Sequence, residues 1–479
     1  MPPSSDETTP LLTDGSSLEE QRESKAAATP IPMAQLAALC VARLTDPIAY
    51  CQIFPYINAL LVSLHVTDDV SKIGFYSGLV ESTFAVTQSL TCYYWATLSD
   101  KVGRRPIVLI GSTGLAISIL LFGFATSLTQ IIAVRALAGF FGGNLAVYHS
   151  ILAEITDISN QAVAYPLYSF TWPLGATLGP LLGSQLSNLG TKYPAYWGYD
   201  FIIERPYLMP NVATSLVVVT GVFLAYLFLE ETLPSKRPGF CVHGTSSSGQ
   251  STSDSLGVGE LLAIPMIRIL ACAGFMLALI SGAFDVVFVL FCYTPIARGG
   301  LSFSVDEIGY ALALSSIILA LLQLFVMPHL LRLFRPVVLL HFTMWMWLVP
   351  FALMPWIHII AKNGLAAGTG SQDPENYVRM WIAVAIMLST SRIGALGFAA
   401  NMLLVKDQAP SPSSLGALNG MIQVIMGLSR CFSPVFVSSI YALSSHSQGP
   451  FPQWVLVMFV LCGAGGWISR KLLVLERQK

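Results

Sequence analysis

The sequence predicts an all-α, multi-pass membrane protein whose twelve transmembrane helices form two pseudo-symmetric six-helix bundles. Three observations carry that expectation. Of 479 residues, 54% are hydrophobic and only 11% charged, with a mean hydropathy of +0.66, so polar surface is too scarce to clothe a soluble globule. The apolar residues gather in runs of roughly 20, the length that spans a hydrocarbon core of about 30 Å. The second half of the chain also repeats features of the first in the same order.

Composition excludes several function classes. A formal net charge of −1, with dispersed positive residues, offers no basic field for nucleic acid. Of the eight cysteines, Cys40, Cys51, Cys92, Cys272, Cys292, Cys431 and Cys462 lie in or beside apolar runs, and none forms a Cys-x-x-Cys pair. The seven histidines show no ligand spacing, so no metal site is expected. No nucleophile, base and metal constellation points to an enzyme.

Residues 1–32 are rich in Ser, Thr, Pro and acidic side chains and are expected to form a disordered cytoplasmic tail, not a cleaved signal peptide. Within it, Glu7-Thr-Thr-Pro-Leu11-Leu12 has the pattern of an acidic dileucine signal read by a sorting adaptor; two chance leucines would look the same. Six apolar spans follow, at 33–63, 73–98, 106–126, 130–153, 162–187 and 208–229, within a bundle set at 33–232. A cytoplasmic linker, 233–260, carries Lys236, Arg237 and a Gly/Ser-rich run; Gln250 stands where a phosphate-binding loop needs Lys. The second bundle, 261–473, holds spans at 261–292, 308–333, 336–360, 378–404, 415–443 and 453–473, before a short tail at 474–479.

Charges inside spans are the best functional pointers, because burying one costs roughly 2.5–3.5 kcal/mol at a helix centre on insertion scales. In span one, Arg43, Asp46 and Tyr50 share a face, and Pro47 is expected to break the helix nearby. Glu81 lies in span two, Arg135 in span four, Asp285 in span seven, Arg392 in span ten and Arg430 in span eleven. Glu81 and Asp46 are the candidates for a proton-titrating carboxylate; fixed structural ion pairs are the alternative. Tyr168, Phe170, Trp172, Trp345, Trp347 and Trp356 are candidate pocket aromatics, with Asn419 and Gln423 as polar contacts, though such aromatics also serve as interfacial anchors. Gly175, Gly179 and Gly183 recur every four residues in span five beside Pro180, a face suited to bending or to close static packing.

Placing the termini and even-numbered joins on one side collects fifteen of the 25 Lys and Arg residues, against six on the other. Both termini are therefore expected in the cytoplasm. Ile73-Gly and Arg105-Pro are echoed by Ile308-Gly and Arg335-Pro, while Arg135 and Asn144 have the same spacing as Arg392 and Asn401. Such ordered matches indicate a duplicated six-helix unit with a cavity between the copies.

The charged turn at 95–106, Trp95-Ala-Thr-Leu-Ser-Asp100-Lys-Val-Gly103-Arg104-Arg105-Pro106, resembles the helix two–three signature of the major facilitator superfamily, with Ala96 replacing the first Gly. Arg135-x-x-x-Gly139 resembles its helix-four signature, and Gly175-x-x-x-Gly179-Pro180-x-x-Gly183 its helix-five antiporter signature. Asp46-Pro-Ile, Phe54-Pro-Tyr-Ile and Leu229-Glu-Glu-Thr-Leu-Pro234 are similar to the zinc-induced-facilitator-like branch and its fungal members, of drug:proton antiporter type. The resemblance implies that Asp100 sits where the halves meet, pairing with a basic residue, and that Glu154 and Asp157 are partners of the turn. It implies a secondary transporter working by alternating access on a small organic solute, in proton-coupled antiport for efflux or vacuolar sequestration. A uniporter or symporter for a nutrient, or a transport-inactive receptor, are the alternatives. The implied partners are the lipid bilayer, a small-molecule substrate and protons. A monomer in the vacuolar or plasma membrane, driven by the proton gradient without a cofactor, completes the expectation.

Overall fold

The computed structural model describes residues 32–67, 69, 72–156, 161–233, 258–364, 373–408, 410, 415–444 and 453–478. Glu7, Leu11 and Leu12, most of the linker and Asp157 lie outside these residues, as do the side chains of Asp100 and Asn419. Among the described residues every regular element is a helix. The N-terminal part comprises α1 (Met33–Cys51), α2 (Ile57–Ser63), α3 (Ile73–Val102), α4 (Arg104–Phe124), α5 (Leu128–Gly142), α6 (Leu145–Ile155), α7 (Gln161–Gln185) and α8 (Leu208–Phe228). The C-terminal part comprises α9 (Pro265–Tyr293), α10 (Val305–Leu321), α11 (Met327–Leu333), α12 (Pro336–Met346), α13 (Leu348–Asn363), α14 (Pro374–Ala395), α15 (Gly397–Asp407), α16 (Leu415–Ser444) and α17 (Gln453–Gln478).

Local chemistry sets the helix starts. Proline occupies the first turn of α9, α12 and α14, where no N–H donor is missed. Ser304 and Glu307 form a reciprocal capping box at α10. Nine stretches among the described residues are long and apolar enough to cross a membrane: α4, α5–α6, α8, α9, α10–α11, α12–α13, α14–α15, most of α16, and α17. The helices α1, α3 and α7 run to 19, 30 and 25 residues but dilute their apolar content with hydroxyl, amide and charged side chains.

Span one breaks elsewhere than expected. The helix α1 runs through Pro47 and ends at Cys51; the turn lies at 52–56, around Pro55. That turn presents Gln52 and Tyr56 to α8, where Gln52 Nε2 donates to Asn211 Oδ1 at 2.8 Å and Asn211 Nδ2 donates to the Tyr56 hydroxyl at 3.1 Å. The buried amides satisfy one another, which makes the irregular backbone tolerable at depth.

The two parts differ in their cores. A single apolar cluster fills the C-terminal part around α9, with Phe284 against Phe288, Trp347 and Phe351. The N-terminal apolar core is divided into three smaller clusters. Buried polar residues lie among its helices: Thr45, Gln52, Asn58, Ser77, Glu81, Arg135, Asn144 and Asn211. The glycine row of α7 explains how α1 packs there. A Cβ on Gly183 would meet the Gln52 carbonyl oxygen at 1.9 Å, and one on Gly175 would meet Pro47 at 2.4 Å, so only glycine admits this approach.

Candidate functional site

The candidate site is a cavity between the N-terminal helices α1, α3 and α7 and the C-terminal helices α9, α10, α14 and α16. Its enclosed volume is about 120 Å³, and it opens into wider unoccupied space of about 870 Å³ in all, part of it solvent. Tyr50, Phe54, Glu81, Trp172, Pro180, Asp285, Arg392 and Arg430 line it, together with Ser315, Ser316 and Ser433.

Each charge has a distinct setting. Arg392 on α14 donates to Asp285 on α9 at 2.7 Å; the arginine is mostly covered, while the Asp285 side chain is 47% exposed. Glu81 on α3 is only 6% exposed and has no ion-pair partner among the described residues. Arg430 on α16 is exposed towards the cavity, its guanidinium carbon 6.0 Å from the Trp172 ring centroid. Arg43 is 5.9 Å from the same ring and donates to Asp46 at 2.9 Å, a pair on one helix that does not line the cavity. Arg135 is also absent from the lining: it is buried between the rings of Phe84 and Phe122, at 5.2 and 5.8 Å, with Nε and Nη2 lacking hydrogen-bond partners among the described residues. Tyr50 joins these groups, its ring 5.3 Å from Phe84, 5.1 Å from Phe54 and 6.2 Å from Trp172.

Of the other sequence candidates, Gln423 is exposed outside the lining, Trp347 is fully buried in the C-terminal core, and Trp345, Trp356 and Phe170 lie exposed away from the cavity. Tyr168 is buried beside His149. Ser315, Ser316 and Ser433 were not singled out by sequence, because a hydroxyl within an apolar span carries no pattern of its own. Their approximate four-residue registers with other lining residues emerge only once the facing helices are known.

The charged turn is built around a residue that motif reading passed over. Gly103 ends α3 and precedes α4 with φ of 120°, in the region that favours glycine. Glu231, just after α8, accepts from the backbone N–H of Arg104 at 2.8 Å and of Arg105 at 3.2 Å. Its carboxylate thus meets the positive end of α4 and satisfies donors that the helix itself leaves open. The Arg104 guanidinium reaches Glu154 at 3.0 Å and Ser99 Oγ at 2.5 Å, while Arg105 donates to the Tyr226 carbonyl and lies over its ring at 5.3 Å. The available signal for Glu231 was its place in Leu229-Glu-Glu-Thr, an acidic pair directly after a span.

A further link ties this turn to α5. The break at Gly143 and Asn144 leaves the Phe140 and Gly142 carbonyls short of regular helical partners; Trp95 Nε1 donates to Phe140 at 2.6 Å and Gln88 Nε2 to Gly142 at 3.0 Å.

At the end of the cavity remote from the turn, the N- and C-terminal helices approach closely. Lys192 donates to Asp306 Oδ1 at 2.6 Å and to the Ser184 carbonyl at 3.0 Å. A Cβ on Gly78 would stand 2.6 Å from the Pro434 carbonyl oxygen, and one on Gly309 would stand 2.1 Å from Ser184 Oγ. Pairings of α3 with α16 and α7 with α10 therefore close this end.

Comparison with known proteins agrees with this architecture. The family model described as Major Facilitator Superfamily matches residues 48–434. The chain is 33% identical to the major facilitator-type transporter psiT2 of Psilocybe cyanescens, over 99% of this chain and 97% of that one. It is 30% identical to the efflux pump azaK of Aspergillus niger, over 98% and 96%, and 25% identical to ZINC INDUCED FACILITATOR 1 of Arabidopsis thaliana, over 90% and 89%. The crystal structure of the human organic anion transporter MFSD10 superposes with a TM-score of 0.58 at 17% identity, covering 92% of this chain and all of that one.

Proposed function

The chain belongs to the major facilitator superfamily, a family of integral membrane transporters, and from that premise we propose that it moves a small organic solute by alternating access in exchange for protons. One observation carries the reading: the cavity between the N- and C-terminal helices contains a carboxylate, Glu81, that has no ion-pair partner among the described residues. A carboxylate in such a setting can hold either a proton or a cationic group of the solute, and this choice is what an exchanger needs. The efflux pump among the relatives supports export or sequestration as the direction.

In this reading α1–α2, α3 and α7 also cross the membrane, giving twelve crossings in two six-helix bundles joined by the linker. With both termini cytoplasmic, the end closed by Lys192 and Asp306 faces away from the cytoplasm, and the solute enters from the side of the charged turn. The helix-five glycine face of Gly175, Gly179 and Gly183, beside Pro180, keeps α7 against α1, so the two move as one body. Asp100, Gly103, Arg104, Arg105, Glu154 and Glu231 form the junction that rearranges when access switches.

The test is solute uptake into proteoliposomes with an imposed pH gradient, screened over organic acids, amines, zwitterions and metal chelates. Flux that rises with an inwardly directed or outwardly directed gradient, according to orientation, is expected. Flux indifferent to the gradient would rule out proton exchange and leave a uniporter. Binding without flux for every class would favour a receptor.

A further inference from the structure

The charged groups lining the cavity do not all cancel locally. Asp285 and Arg392 are tied to each other at 2.7 Å, so their charges offset each other before any solute arrives. This leaves Glu81 on α3 and Arg430 on α16, neither of which has an ion-pair partner among the described residues. Between them runs an aromatic strip. Phe84, one helical turn beyond Glu81, lies 5.3 Å from Tyr50; Tyr50 lies 6.2 Å from Trp172; and Trp172 lies 6.0 Å from the Arg430 guanidinium. Ser315 adds an independent sign of a missing partner: it lines the cavity on α10, is 2% exposed, and its hydroxyl makes no hydrogen bond among the described residues, whereas Ser316 and Ser433 each donate to a carbonyl.

Resting on the transporter reading above, we propose that this cavity selects flat aromatic solutes with an acidic group at one end and a basic group at the other. Arg430 and Ser315 receive the acidic end, and Glu81 receives the basic end. A planar guanidinium presents paired donors to a carboxylate or phosphate, and the Ser315 hydroxyl donates a further bond to the same anionic oxygens. Tyr50 and Trp172, the members of the strip that line the cavity, stack on the ring of the solute. Arg135 does not compete for the acidic end, because it is behind Phe84 and outside the lining. The arrangement also fits exchange: the basic end of the solute and a proton compete for Glu81, while the bond to Arg430 discriminates among solutes.

The test uses the purified full-length protein and three matched probes measured by calorimetry: 4-(aminomethyl)benzoate, 4-methylbenzoate and 4-methylbenzylamine. The wild type is expected to bind the first at least tenfold more tightly than either singly charged probe. Arg430→Gln should weaken the first two by tenfold or more and leave the amine within twofold; Arg430→Lys should restore part of the loss. Ser315→Ala should weaken the same two probes about threefold, and Glu81→Gln should weaken only the probes bearing the amine. Equal affinities for the three probes in the wild type, no binding of any at millimolar concentration, or equal losses for all probes in Arg430→Gln would each overturn the proposal. Charge-selective binding without flux in proteoliposomes would leave it standing and overturn the transporter reading instead; gradient-driven flux of solutes without charge preference would do the reverse.

Discussion

Single residues in this protein are informative where a charge or a polar atom is placed at depth without an obvious partner. Glu81 is the clearest case, a buried carboxylate facing the cavity between the N- and C-terminal helices. If it exchanges protons, Glu81→Gln fixes its neutral state, so the dependence of transport on an imposed pH gradient should fall at least tenfold while solute counterflow at equal pH persists once the solute is raised to saturation. A variant whose flux still follows the gradient would assign coupling to another group. Glu231 is informative for a different reason, since its carboxylate serves two backbone donors at the start of α4. Removing it in Glu231→Ala should cost about 1–2 kcal/mol, the typical loss of a helix cap, and lower the thermal midpoint in detergent; an unchanged midpoint would show that water replaces it fully.

At the scale of helices, glycine does two kinds of work that sequence cannot separate. Gly183 faces the Gln52 carbonyl oxygen within the N-terminal helices, whereas Gly78 faces the Pro434 carbonyl oxygen across to α16. Alanine at 183 should therefore lower thermal stability by about 1–3 kcal/mol through overpacking, as measured by unfolding of the purified protein. Alanine at 78 should leave stability nearly intact but hold α3 away from α16, so that a cysteine reporter near Lys192 reacts faster with a membrane-impermeant thiol reagent. Equal loss of stability in both variants would mean that the α3–α16 contact belongs to the fold and not to one access state. The helix-five glycine spacing was visible in the sequence, yet bending and static packing both accounted for it; the α1 backbone lying against that face is what shows close packing.

Across the whole molecule, the Lys192–Asp306 pair is positioned to bias the balance between access states, because it links the N- and C-terminal helices at one end only. The pair is about a quarter to a third exposed, so its worth is on the order of 1 kcal/mol at most, equivalent to about a fivefold shift in population. Lys192→Gln should produce a shift of that size in the thiol accessibility of the adjoining cavity, and high salt should reproduce part of it in the wild type. The sequence by itself determined the membrane class, the helical content, the family and most of the intramembrane charges, because lipid penalises exposed polar backbone and isolated charge so strongly that both leave a local mark in the chain. It could not separate the charges that cancel from those that face the cavity. Arg43 with Asp46 and Arg392 with Asp285 look alike as single letters, but the first pair closes on its own helix while the second bridges α14 and α9. Nor did it reveal Glu231, Ser315 or the Trp95 bond to Phe140. Those roles depend on which helix ends and faces meet after packing, a relation among residues far apart in the chain that only the tertiary structure decides.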